Sequence, residues 1–296
     1  HFAGPLLPSL AWLGLLLLAA PARADEALVT AQGANTLAIV DLTAGSVAAQ
    51  IPIDGAPAGI ALSPDRRTAF VTRPEGPGLA VVDLASRTVT GTLALPGGPL
   101  GIAVNPKSGA VYVADWYGSR IFVVSPDGAR LDTEIQVGAS PSGIAVTPDG
   151  ATLLVANREG DSVSVVDVAT AHEVRKIPVG QHPFGITLDA EGARAYTANV
   201  TSNDVSVIDV ETRKVVKKIT FKIPGVTDEQ IQPVGVRLTG DGTKAFIALG
   251  PANRVAVVDA KTYEVQKYLP VGQRVWQLAF TPDEKQLYTT NGTSND

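Results

Sequence analysis

The sequence predicts an all-β fold: a seven-bladed β-propeller of four-stranded repeats about 42 residues long, incomplete at its C-terminus. Three sets of anchors carry that prediction. The Asp that closes each Val-Val-Asp or Val-Ile-Asp triplet falls at Asp41, Asp83, Asp167, Asp209 and Asp259, with Ser125 in the third slot. A turn proline recurs at Pro64, Pro106, Pro148 and Pro282, and a strand glycine at Gly59, Gly101, Gly143, Gly185 and Gly235, with Gln277 in the last slot. Every series steps by 42 residues apart from one step of 50, which falls between Asp209 and Asp259, between Gly185 and Gly235, and between the proline slots at 190 and 240.

Within a repeat the apolar residues alternate over short runs broken by turn formers, which is the strand signature. The fourth repeat shows it plainly, with strands expected at 142–146 (SGIAV), 153–156 (LLVA), 163–166 (VSVV) and 173–179 (EVRKIPV). Helical solenoids of this period would need an apolar spacing of 3.6, and none is present. The chain comes in at Ala27-Leu28-Val29-Thr30, on the second strand of a blade. Five full blades begin near Pro57, Pro99, Pro141, Pro183 and Pro233, and a further one begins at Val275. Because Asn291-Gly-Thr-Ser-Asn-Asp matches the stretch that starts at Asn199, the last blade is expected to be truncated. The chain contains no Met, so His1 is read as the first residue of a fragment.

Composition narrows the function classes. Of 296 residues 45% are hydrophobic and 18% charged, a balance that supports a packed core rather than disorder. With no Cys, thiol catalysis, disulfides and Cys-ligated metals are excluded, and with His1, His172 and His182 as the only histidines no multi-histidine centre is expected. Residues 10–20 form an apolar run followed by Pro21 and Ala22-Arg23-Ala24, the small-x-small pattern of a cleaved signal peptide. Eleven apolar residues are too few to span a bilayer, so residues 1–24 are assigned to the signal and 25–296 to the propeller. A periplasmic or secreted monomer with no membrane span after cleavage is expected. Net charge is −5, and the segment removed holds one Arg and no acid, so the chain has no overall attraction for nucleic acid.

The strand-end tetrads Leu154-Val-Ala-Asn157, Tyr196-Thr-Ala-Asn199 and Tyr288-Thr-Thr-Asn291 resemble those of the YVTN-repeat β-propellers, which are exported proteins. The segment 101–121 also resembles NHL repeats. Residues 223–235 (IPGVTDEQIQPVG), 248–254 (ALGPANR) and 271–277 (VGQRVWQ) are similar to the propellers associated with pyrroloquinoline-quinone (PQQ)-dependent catabolism. That resemblance implies a periplasmic accessory to quinoprotein alcohol oxidation. A quinoprotein dehydrogenase or another exported protein would be the partner, and any PQQ would be met through that partner rather than held as a cofactor.

Several residues stand out as candidates for function. The triplet aspartates recur once per blade before turns, where an Asp accepts backbone N–H bonds, and are read as structural. By contrast, the slot ending the second strand varies from blade to blade, as Ala31, Arg73, Asp115, Asn157, Asn199, Leu249 and Asn291. Together with Trp116 and Arg158 it marks one rim of the propeller as the ligand- or partner-binding face. The extra residues of the fifth repeat, between Phe221 and Pro233, fall in a loop on the same face, and Thr227-Asp-Glu-Gln230 fits a capping box. Arg274 and Trp276 stand beside it, an aromatic and a cation suited to a planar ligand. His182, in Gly180-Gln181-His182-Pro183, is the one candidate acid–base residue for the alternative reading, a lyase- or lactonase-type propeller enzyme. No metal site is expected. Arg213, Lys214, Lys217, Lys218 and Lys222 form a basic cluster read as protection of a sheet edge.

Overall fold

The computed structural model describes residues 25–294. The signal-peptide assignment for residues 1–24 lies outside the described residues. Everything described is β-structure apart from two short 3₁₀ turns, Gln32–Ala34 and Asp228–Gln230. The strands form consecutive antiparallel meanders in chain order. Five sheets have four strands each, spanning 60–93, 99–136, 141–178, 183–220 and 233–270. They are the second to sixth blades. The first blade, 26–52, has three strands, and a two-stranded hairpin, 275–291, follows the sixth.

The expectation of seven blades is thereby corrected to six. The repeat anchors count slots along the chain, but a slot becomes a blade only when its third and fourth strands are present to cover a neighbour. Val275–Phe280 and Leu287–Asn291 pair only with each other, and no strand pairing joins them to the first blade among the described residues.

The fourth blade shows how the repeat folds. Its strands Pro141–Val146, Thr152–Asn157, Ser162–Asp167 and His172–Pro178 are ordered from the channel outward. The two middle strands are buried almost throughout, while the outermost alternates exposed and covered positions. Alternation sends successive side chains to the two faces of the sheet, so each blade feeds two interfaces. Six apolar clusters result, each shared by consecutive sheets; one packs Leu154, Ala156, Val163 and Val165 of the fourth blade on Ile186, Ala195 and Ile208 of the fifth. Another packs Val205 and Val207 on Val236, Ala245 and Ile247. A fully buried Leu or Ile in such a layer contributes about 1.5–3 kcal/mol.

Near the channel the innermost strands approach so closely that a side chain would not fit. A Cβ added to Gly101 would stand 1.6 Å from the carbonyl oxygen of Ser142 in the next blade, and one added to Gly185 would stand 2.2 Å from that of Val234. Hydroxyls tie the same strands together: Thr72 Oγ1 donates to the Leu100 carbonyl at 2.7 Å, and Thr30 does the same to Ala58 at 2.8 Å. Thr30 and Thr72 occupy one repeat slot, so Glu26–Ala31 is in register with second strands, as the sequence predicts. At the outer turns the triplet aspartates are structural. Asp167 and Asp209 each accept the N–H of a threonine three residues on, at 2.8 and 2.7 Å. No helix among the described residues is long and apolar enough to cross a membrane.

Candidate binding cleft at the channel mouth

Three repeat positions meet at one end of the innermost strands, and a latch between blades sets their geometry. In the loop joining the second and third strands of a blade, an Asn or Asp in a left-handed conformation accepts the N–H of a residue just before the next blade's first strand. Asn35 holds Ala56 at 2.9 Å, Asp161 holds His182 at 2.8 Å, Asn203 holds Gln232 at 3.2 Å and Asn253 holds Arg274 at 2.8 Å. The latched residues are themselves left-handed, with φ between 38° and 58°. Asn and Asp tolerate that region because their short side chains bond locally.

The latched residue then accepts a backbone bond from its own blade. Val200 N–H donates to the His182 carbonyl at 3.0 Å, Gly250 to Gln232 at 3.0 Å and Gly292 to Arg274 at 2.9 Å, as Arg158 does to Ser140 at 2.9 Å. The residue just after the second strand is thereby fixed beside the start of the first. Between blades three and six and the hairpin these positions enclose a cleft of about 380 Å³. Trp116, Arg158, Val200 and Gly250 come from the second-strand ends, Phe184, Val234 and Trp276 from the first strands, and Gln232 and Arg274 from the latched loops, with Pro251 beside them.

Aromatic rings form one wall. Phe184 lies 6.2 Å from Trp116 and 6.2 Å from Trp276, with interplanar angles of 65° and 51°. Tilted rings at that distance are mutually attractive without stacking face to face, so part of each ring stays open to the cleft. Trp276 retains 36% of its surface exposed. Each indole carries a guanidinium: Arg158 lies 5.6 Å from the Trp116 ring centre and Arg274 lies 5.2 Å from that of Trp276. Arg158 is also paired to Glu159, whose other oxygen is 3.5 Å from His182 Nε2. Arg274 has no carboxylate partner among the described residues.

The predicted face residues separate into two groups. Trp116, Arg158, Arg274 and Trp276 come together in the cleft. Arg73, Asp115 and Asn199 do not line it; all three are buried in the sheet. Asp115 accepts the Gly98 N–H at 2.9 Å and pairs with Arg120 at 3.0 Å. Asn199 donates from Nδ2 to Ser206 Oγ at 2.9 Å, and Asn157 donates likewise to Ser164 at 2.8 Å. Arg73 reaches the Leu79 carbonyl at 3.2 Å, and burial pushes its guanidinium pKa down. His182 is latched next to Phe184 but its ring turns elsewhere, to Thr201 Oγ1 at 2.6 Å.

Phe184, Gln232, Val234 and Pro251 are cleft residues that the sequence reading did not single out. The fifth repeat's extra loop explains Gln232. Gln230 Oε1 accepts the Thr227 N–H at 3.1 Å to close the predicted turn, Ile231 is buried between blades five and six, and Gln232 is carried to the rim. The basic cluster sits along the outermost strand Lys214–Thr220, away from this face.

Fold and cleft together define a six-bladed β-propeller with an aromatic, cationic opening at one end of its channel. The chain belongs to the choice-of-anchor I domain family, a β-propeller family whose model matches residues 96–289. Solved propellers share the architecture. A protein of unknown function from Desulfotomaculum acetoxidans is 18% identical, with a TM-score of 0.72 over 90% of this chain and 89% of its own. Hydrazine synthase of Kuenenia stuttgartiensis is 20% identical, with a TM-score of 0.60 over 82% of this chain and 94% of its own. No curated protein matches the chain.

Proposed function

We propose that this protein is an exported, non-catalytic propeller that binds a ligand or partner over its channel face, in the periplasm, as an accessory to PQQ-dependent alcohol catabolism. The observation that carries the reading is the cleft, a preformed concavity of ligand size lined by aromatic rings and two arginines. Export rests on the signal-like segment of residues 1–24. The quinoprotein connection rests on the three segments that resemble the PQQ-associated propellers. Those segments supply Gln232, Val234, Gly250, Pro251, Arg274 and Trp276, the larger part of the cleft lining.

A thermal-shift panel tests this reading, with PQQ, Ca²⁺ and a purified quinoprotein dehydrogenase among its members, run on the parent and on Trp276→Leu. A shift in the parent that disappears in the variant is expected. The reading fails if no member shifts the parent or if Trp276→Leu responds equally. The lyase or lactonase alternative requires His182 to act on a bound substrate. Its ring does not line the cleft and is engaged by Thr201 and Glu159, so His182→Ala is expected to leave any ligand response intact.

A further inference from the structure

The cleft is positive in a negative protein. Its lining contains Arg158 and Arg274 and no Asp or Glu, although the chain as a whole carries a net charge of −5. Arg158 is partly neutralised by Glu159, whereas the guanidinium of Arg274 has only the face of Trp276 beneath it. A guanidinium laid on an indole keeps its N–H edge directed outward, where a carboxylate meets it in the plane of both groups.

The apolar surface is aromatic, built of rings tilted to one another. Trp116 and Trp276 flank Phe184, each 6.2 Å away and tilted to it by 65° and 51°. Each outer ring has its arginine beside it, which places a cation at both ends of an aromatic wall. Val200, Val234 and Pro251 complete an apolar lining. Aliphatic acids would satisfy the arginines but leave the rings uncovered, and neutral aromatics would cover the rings but leave Arg274 unpaired.

We propose that the ligand of this cleft is a small aromatic carboxylate bearing two acidic groups, with its ring against the Trp116, Phe184 and Trp276 side chains and its carboxylates on Arg158 and Arg274. This deepens the binding-scaffold reading and rests on it. The Asn203 and Asn253 latches fix the backbone of Gln232 and Arg274 at the rim, which lowers the cost of ordering them around a ligand. The volume of about 380 Å³ accommodates two or three fused rings.

The test is a tryptophan-fluorescence titration of the full chain with three probes: a naphthalene dicarboxylate, its neutral diol analogue, and an aliphatic dicarboxylate of equal length. The dicarboxylate is expected to quench saturably and more tightly than either control by at least about tenfold, the worth of one charge-assisted bond. Arg274→Gln should weaken it about tenfold while thermal stability is retained, and Trp276→Leu should remove the binding. Equal affinity for the diol, or for the aliphatic acid, overturns the aromatic-acid class while a Trp276-dependent signal keeps the cleft as a binding site. An unchanged Kd in Arg274→Gln overturns the class as well. If no probe gives a Trp276-dependent signal, and the thermal-shift panel is also silent, the binding-face reading falls with it.

Discussion

Two neighbouring repeat positions at the end of each second strand have opposite fates. The last strand residue, Asp115, Asn157 or Asn199, points into the sheet and is fully buried; Asp115 accepts from the blade's own loop, and the two Asn donate from Nδ2 to serines of the next strand. The next residue, Trp116, Arg158 or Val200, faces the cleft. Strand geometry makes this division, since successive side chains leave on opposite sides. Variation at a repeat position therefore carries two meanings. At the first position it reflects different ways of satisfying a buried polar slot, and at the second it reflects what the channel mouth contacts.

The largest effect expected concerns the frame that holds both positions. Gly101→Ala puts a Cβ 1.6 Å from the Ser142 oxygen, where the obstacle is backbone, and should cost more than about 3 kcal/mol in chemical denaturation. A cost below about 1 kcal/mol would show that the blades are not in close contact at their inner edge. Next comes Asn157→Ala, which strips two serine hydroxyls of a buried donor and should cost about 1–3 kcal/mol. Trp276→Leu, at a partly exposed position, should change stability by less than about 1 kcal/mol. Gly292→Ala should act on the cleft instead, because its Cβ would lie 2.6 Å from Trp276 Nε1; a blue- or red-shifted indole emission reports the displaced ring.

Acid should affect the turns at the opposite end of the blades before the cleft. Asp241 and Asp283 are held down to about 2 from an ordinary value of 3.8, first by the hydroxyls of Thr239 and Thr281 and then by backbone N–H groups. Asp167 and Asp209 are lowered by the same kind of bonding, backbone first. A depressed folded-state pKa means that the stabilisation is complete above 3.8 and drains away as pH falls toward about 2. The melting temperature should therefore fall across that window, and Asp283→Asn should shallow the fall. A melting temperature that stays flat down to pH 2 contradicts the turn assignment.

The propeller was legible because its defining contacts repeat. Gly59 to Gly235 and the triplet aspartates recur at fixed spacing since every blade solves the same packing problem, and the structure gives them the structural roles the spacing implied. Blade number was not legible, because an anchor such as Gln277 marks a slot whether or not a full sheet grows on it. The cleft was legible where a residue is large and unlike its repeat partners, as Trp116, Arg158, Arg274 and Trp276 are. Phe184 and Val234 went unseen because apolar residues at the head of a strand look like core. Arg73 and Asn199 were misplaced for the opposite reason: polar side chains in a variable slot look exposed, and only the sheet shows them facing inward with partners.

The division between the two positions is tested most directly by measuring Asn157→Ala and Arg158→Gln side by side, each for unfolding free energy and for naphthalene dicarboxylate affinity. The account predicts a crossed result, with Asn157→Ala losing about 1–3 kcal/mol of stability at unchanged affinity and Arg158→Gln losing affinity at unchanged stability. If both variants lose the same property, or if Arg158→Gln changes neither, the two positions do not have separate roles and the cleft is not where this propeller binds.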